Sequence, residues 1–115
     1  MDTDSNKIRI LYLKDFFEEY TDEEHSASMY DIQRYLKICT YEPTQKTIID
    51  DIKALNKYGM EIQLDEGGRK RHLVSRRFEV AEVKMLIDCV ASAKFLPEEK
   101  SRQLIKKLGE LVSLY

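Results

Sequence analysis

Apolar residues recur at helical spacing near the start of the chain. Ile8, Leu11, Tyr12 and Phe16 fall on one face, with Ile10, Leu13, Phe17 and Tyr20 on the face beside it. So wide an apolar surface predicts a central helix over residues 6–20. The acidic stretch from Thr21 to Ala27 has no such period and reads as a loop. The helical period resumes at Ser28, whose hydroxyl caps a first turn that Asp31 further favours, and Met29, Ile32 and Leu36 form the buried stripe. This helix ends near Lys37 or Ile38. Pro43 has no N–H to donate inside a helix, so Cys39 to Pro43 forms a turn, and Thr44 caps a third helix reaching about Tyr58. Its inward face is Ile48, Ile52 and Leu55, and Gly59 supplies the backbone freedom that ends it.

Beyond Gly59 the period shortens to two. Met60, Ile62 and Leu64 alternate with Glu61, Gln63 and Asp65, Gly67-Gly68 supplies a turn, and His72, Leu73 and Val74 lead a return strand. After Ser75-Arg76-Arg77 two more helices follow. The first carries Val83, Leu86, Ile87 and Val90 beside Met85, Cys89 and Ser92; the second opens at Pro97 and carries Leu104, Leu108, Leu111 and Tyr115 beside Ile105 and Val112. Two helices joined by a tight turn and followed by a hairpin predict a mainly α fold with a small β-hairpin: a winged helix-turn-helix over residues 1–77, then a two-helix extension over 78–115. The apolar area of the extension exceeds what one small neighbour would cover. Leu104, Leu108, Leu111 and Tyr115 are therefore expected to pair two copies into a homodimer.

Composition bounds the picture. A chain of 115 residues suits one domain with a short appendage, and 43% hydrophobic with 35% charged residues is an ordinary soluble balance. No apolar run approaches the roughly 20 residues that span a bilayer, and the opening Met-Asp-Thr-Asp-Ser-Asn lacks the basic and apolar regions of a secretory signal. The expectation is a cytoplasmic protein with no membrane partner. Cys39 and Cys89 have neither disulfide-framework nor metal-knuckle spacing and read as reduced, buried structural thiols. Charge is unevenly placed. Residues 1–36 hold four Lys or Arg against nine Asp or Glu, residues 37–77 hold nine against six, and residues 78–115 hold six of each. From Arg69 to Arg77 there are five Lys or Arg, one His and no acid, a density suited to a phosphate backbone.

In the helix-turn-helix mode the second helix of the pair enters the major groove with its N-terminal residues toward base edges. Here these are Thr44, Gln45, Lys46 and Thr47, then Ile49, Asp50 and Lys53 one turn on. Gln45 suits adenine, Lys46 suits a phosphate or guanine, and Ile49 is either a thymine-methyl contact or filler beneath the helix. Asp50 repels phosphate unless it accepts from a cytosine amino group, and is expected to face solvent or to pair with Lys46 or Lys53 at helical spacing. In the hairpin, Arg69, Lys70, Arg71 and His72 are placed for the backbone or minor groove. His25 reads as a solvated surface residue. The two histidines and two cysteines are scattered, and neither a phosphate-cradling glycine loop nor a nucleophile–base spacing is present, so no enzyme, cofactor, metal or small-molecule ligand is expected.

These residues also resemble a known family, the N-terminal regions of bacterial WYL-domain transcriptional regulators, whose DNA-binding part is a DeoR-like winged helix. The resemblance rests on residues 7–13, Tyr20-Thr21-Asp22-Glu23-Glu24-His25, residues 46–55, the Gly67-Gly68 turn, residues 78–88, Ser92-Ala93-Lys94-Phe95-Leu96 and Lys100-Ser101-Arg102. It implies sequence-specific binding of double-stranded DNA by a dimer, with the helix containing Thr47 in the major groove. The family often has an Arg-Lys pair where this chain has Gln45-Lys46, and an aromatic residue at the position of Ile49. Family members continue into a sensor domain, so the resemblance implies a DNA-binding and pairing module without that domain, either an excised fragment or a short form. The competing expectation, prompted by Ile49 and Asp50, is a protein-interaction winged helix that has lost DNA contact.

Overall fold

The computed structural model describes residues 3–74 and 78–112, which form five helices and a three-stranded antiparallel sheet. In chain order the elements are α1 (Thr3–Tyr20), β1 (Ala27–Ser28), α2 (Met29–Ile38), α3 (Gln45–Tyr58), β2 (Ile62–Leu64), β3 (Lys70–Leu73), α4 (Val80–Ser92) and α5 (Glu98–Gly109). They divide into two compact units, one holding α1–α3 with the strands and the other holding α4 and α5.

In the first unit α1 packs against α2, α3 and β3. Leu13, Phe16 and Phe17 anchor a core completed by Ala27, Ile32, Leu36, Ile48, Ile52, Leu55, Ile62 and Leu73. Phe16 and Phe17 meet edge to face, with centroids 5.5 Å apart. The wide apolar surface expected of α1 is only partly used: Ile8 and Leu11 remain exposed, while the charged Arg9 is buried. Helix ends follow side-chain chemistry. Ser28 and Asp31 form a reciprocal capping box on α2, with Asp31 N–H donating to Ser28 Oγ and Ser28 N–H to Asp31 Oδ2.

The expected loop from Thr21 to Ala27 is more ordered than its composition suggested. Asp22 and His25 form an isolated antiparallel bridge, and β1 joins the hairpin, with Ala27 opposite Arg71 and Ser28 opposite Lys70, to give the strand order β1-β3-β2. A two-residue strand leaves no period to read. His25 is exposed as expected, yet its Nδ1 lies 2.8 Å from Asp22 Oδ1. Leu64, two residues beyond buried Ile62 on the edge strand β2, is 52% exposed despite its place in the apolar alternation.

Thr21 is fully buried and links helix to sheet. Its hydroxyl donates to Phe17 O at 2.7 Å and accepts the N–H of Leu73 at 3.0 Å. Thr21→Val keeps the shape and leaves the Leu73 N–H without its acceptor, so it is expected to cost about 1–3 kcal/mol in urea unfolding. Thr21→Ser, which retains the oxygen, is expected to cost less.

In the second unit α4 packs against α5. Glu79 N–H donates to Glu82 Oε1 at the start of α4, Pro97 precedes α5, and Arg102 pairs with Glu98 one turn away. Val83 is buried, but Met85, Leu86, Leu104 and Leu111 are exposed. Cys89 is exposed on α4 and Cys39 only half-buried, so the expected burial of the thiols fails for Cys89 and is partial for Cys39. No helix among the described residues is long and apolar enough to cross a membrane.

Candidate nucleic-acid interface

The turn between α2 and α3 is built from both ends. Thr40 N–H donates to Lys37 O and Tyr41 N–H to Leu36 O, the paired bonds of a Schellman motif, with Thr40 at φ 73° where glycine is usual. A β-branched residue is costly in that region, so nothing in the sequence announced this cap. At the far end Thr44 Oγ1 accepts the N–H of Thr47, and the two threonine hydroxyls lie 3.0 Å apart. Both threonines are thus engaged in starting α3. The helix ends at Gly59, φ 131°, as its sequence implied.

The inward face of α3 carries core residues and one buried ion pair. Ile48, Asp51, Ile52 and Leu55 face inward, and the Asp51 carboxylate meets Arg9 of α1 in a bidentate contact, Nε to Oδ2 at 2.8 Å and Nη2 to Oδ1 at 3.1 Å. Arg9 Nη1 also donates to Asn6 Oδ1 at 2.8 Å. The hydrogen bond to Asp51 raises the Arg9 pKa above its ordinary value and outweighs the opposing effect of burial. With that face locked inward, Gln45, Lys46, Asp50 and Lys53 are exposed, and Thr47 and Ile49 are half-buried. Asp50 forms no ion pair with Lys46 or Lys53 among the described residues and stands in solvent, the first of the two expected roles.

The hairpin is tied to α3 by Asn56. Its side-chain Oδ1 accepts the Ile62 N–H at 2.8 Å and its Nδ2 donates to Ile62 O at 3.2 Å. Asp65 N–H donates to Lys70 O and Gly68 N–H to Asp65 O, with Gly68 at φ 70°, closing the turn. Arg69 and Lys70 are exposed at the turn and Arg71 is half-buried in β3. His72 points elsewhere: its Nδ1 lies 2.7 Å from Asp65 Oδ1, which also accepts from Ser26 Oγ at 2.9 Å. These contacts, led by the Ser26 hydrogen bond, hold the Asp65 carboxyl below its ordinary pKa. Among the described residues Arg69, Lys70 and Arg71 form no ion pair, Lys70 lies near enough to Asp65 to help lower its pKa, and His72 serves at the hairpin's root.

Sequence reasoning missed the positioning residues Arg9, Asp51, Asn56 and Asp65. Only Asp51 carried a signal, being three residues after Ile48 and four before Leu55 on the apolar face. On α5 and just after it, Leu104 and Leu111 are exposed and Leu108 half-buried; Tyr115 and the Arg76-Arg77 pair lie outside the described residues. The chain matches no protein-family model, no curated protein and no solved structure.

Proposed function

We propose that the chain is a DNA-binding regulatory module of the winged helix-turn-helix type, acting by binding and not by catalysis. In this reading α3 lies in the major groove, the β2–β3 hairpin serves as a wing on the backbone, and α4 and α5 pair two copies. The observation that carries it is the state of the cations. Lys46 and Lys53 on α3, with Arg69, Lys70 and Arg71 on the hairpin, form no ion pair among the described residues. Cations that form no ion pair release counterions when they meet phosphates without first breaking one within the protein. The resemblance to WYL-domain regulators supports the same reading. Exposure of Gln45, Lys46, Asp50 and Lys53 favours it over a protein-interaction module whose helix is covered by its own chain.

Selection of bound duplexes from random DNA tests the reading directly. Enrichment of a site with two half-sites is expected, their spacing reporting the dimer geometry. Failure to bind any duplex at low salt overturns it. For pairing, sedimentation at micromolar concentration is expected to give twice the 13.6 kDa chain mass. Leu104→Glu with Leu111→Glu, charging two exposed apolar positions, is expected to return the monomer; a monomeric parent chain refutes the interface.

A further inference from the structure

Three aromatic rings gather where α1 ends beside α2. Phe16 and Tyr20 stack with centroids 5.8 Å apart and planes at 28°, and Tyr35 tilts against them at 5.1 Å and 5.7 Å. They floor an open groove of about 460 Å³ whose walls include Ser26, Asp31 and Arg34. That volume lies within the roughly 300–1,000 Å³ of small-ligand sites, which combine an apolar lining with a few placed polar groups.

The charges in the wall are not equivalent. Asp31 is committed to the start of α2, its Oδ2 accepting the Ser28 N–H at 3.0 Å beside the positive end of the helix. Arg34 is exposed, its guanidinium 5.7 Å from the Tyr30 ring, and it forms no ion pair among the described residues. Its planar fork of donors matches a carboxylate. Burial, with a smaller contribution from the nearby Glu19 and Asp15 carboxylates, pushes the Tyr35 phenol up to about 12, so acids flank the groove and Arg34 is the cation among its lining residues. Tyr20 and Arg34 thus offer an aromatic face and a cation to one occupant.

We propose that this groove binds a small aromatic carboxylate, its ring against Phe16, Tyr20 and Tyr35 and its carboxylate on Arg34. The site departs from the expectation that the chain has no small-molecule ligand, and it does not depend on the DNA reading. Ser26 in the wall donates to Asp65 Oδ1, the oxygen that also meets His72 of β3, so the occupant adjoins the polar link at the hairpin's root.

The test is titration of the full chain with 4-hydroxybenzoate, phenol and cyclohexanecarboxylate, followed through the ring signals of Phe16, Tyr20 and Tyr35 by NMR. Saturable binding of 4-hydroxybenzoate is expected, with each of the other two probes, lacking the carboxylate or the aromatic ring, binding more weakly. Arg34→Gln, at an exposed position, is expected to weaken 4-hydroxybenzoate at least about tenfold, as loss of one charge-assisted contact implies, and to leave phenol unchanged. Absence of saturable shifts in these rings, or equal affinity in Arg34→Gln, overturns the proposal. DNA binding plays no part in this readout, so failure here leaves the DNA reading standing, and failure there leaves the groove standing.

Discussion

Arg9→Met is expected to lower the unfolding free energy by about 3–5 kcal/mol, the usual cost of removing one partner from a buried ion pair. The two side chains are 10% and 9% exposed and meet through two hydrogen bonds, so the substitution leaves the Asp51 carboxylate buried with neither its counter-ion nor its donors. Most of the loss is that stranded charge and not the net worth of the pair, because desolvating both ions offsets much of their attraction. Arg9→Met combined with Asp51→Leu is therefore expected to recover most of the stability, since a pair of apolar side chains leaves no charge to strand. Urea unfolding of the parent, both single variants and the double variant closes the cycle. Such a loss is large against a total of about 5–15 kcal/mol for small domains, so a single variant that fails to fold beside a folded double variant supports the same conclusion. A cost below about 1 kcal/mol for Arg9→Met would show that Asp51 is not left as a stranded buried charge.

That pair also marks where the sequence stops being legible. Helix limits were readable wherever one residue type carries the boundary chemistry: Ser28 and Thr44 as caps, Pro97 before α5, and Gly59 at a positive φ. The inward stripe of α3 followed from the spacing of Ile48, Ile52 and Leu55. Contacts between residues distant in the chain were not readable. Arg9 and Asp51 lie 42 residues apart, and an arginine among apolar residues does not declare its partner. Thr21 has the same character, joining α1 to a strand 52 residues later. Local chemistry failed as well where a rarer residue took a common role, as Thr40 does in the cap of α2. In the candidate site the exposed set on α3 was legible from helical phase, but the diversion of His72 to Asp65 needed the fold, because the two meet only when β3 returns beside the segment after β2.

Removing Lys46, Arg69 and Lys70 together, each by substitution with alanine, is expected to make DNA affinity less sensitive to salt. All three side chains are exposed and form no ion pair among the described residues, so stability should change little; Arg71 is retained because it is half-buried in β3. Each phosphate contact on B-DNA contributes about −0.9 to the slope of log affinity against log salt, so losing three makes the slope shallower by about 2.7. Between about 50 and 200 mM salt, a fourfold change, the parent is then expected to lose roughly 40-fold more affinity than the triple variant. Asp50→Asn should act in the opposite sense, raising affinity by removing an unpaired carboxylate from the proposed reading face. Overall charge alone does not produce this pattern if the contacts are local. Lys106→Ala with Lys107→Ala on α5 removes cations from the other unit, and the reading requires the slope of that variant to stay near the parent's. If the two sets of substitutions flatten the slope by the same amount per charge, binding is a diffuse attraction of the whole surface, and the assignment of α3 and the hairpin as the DNA-binding elements fails.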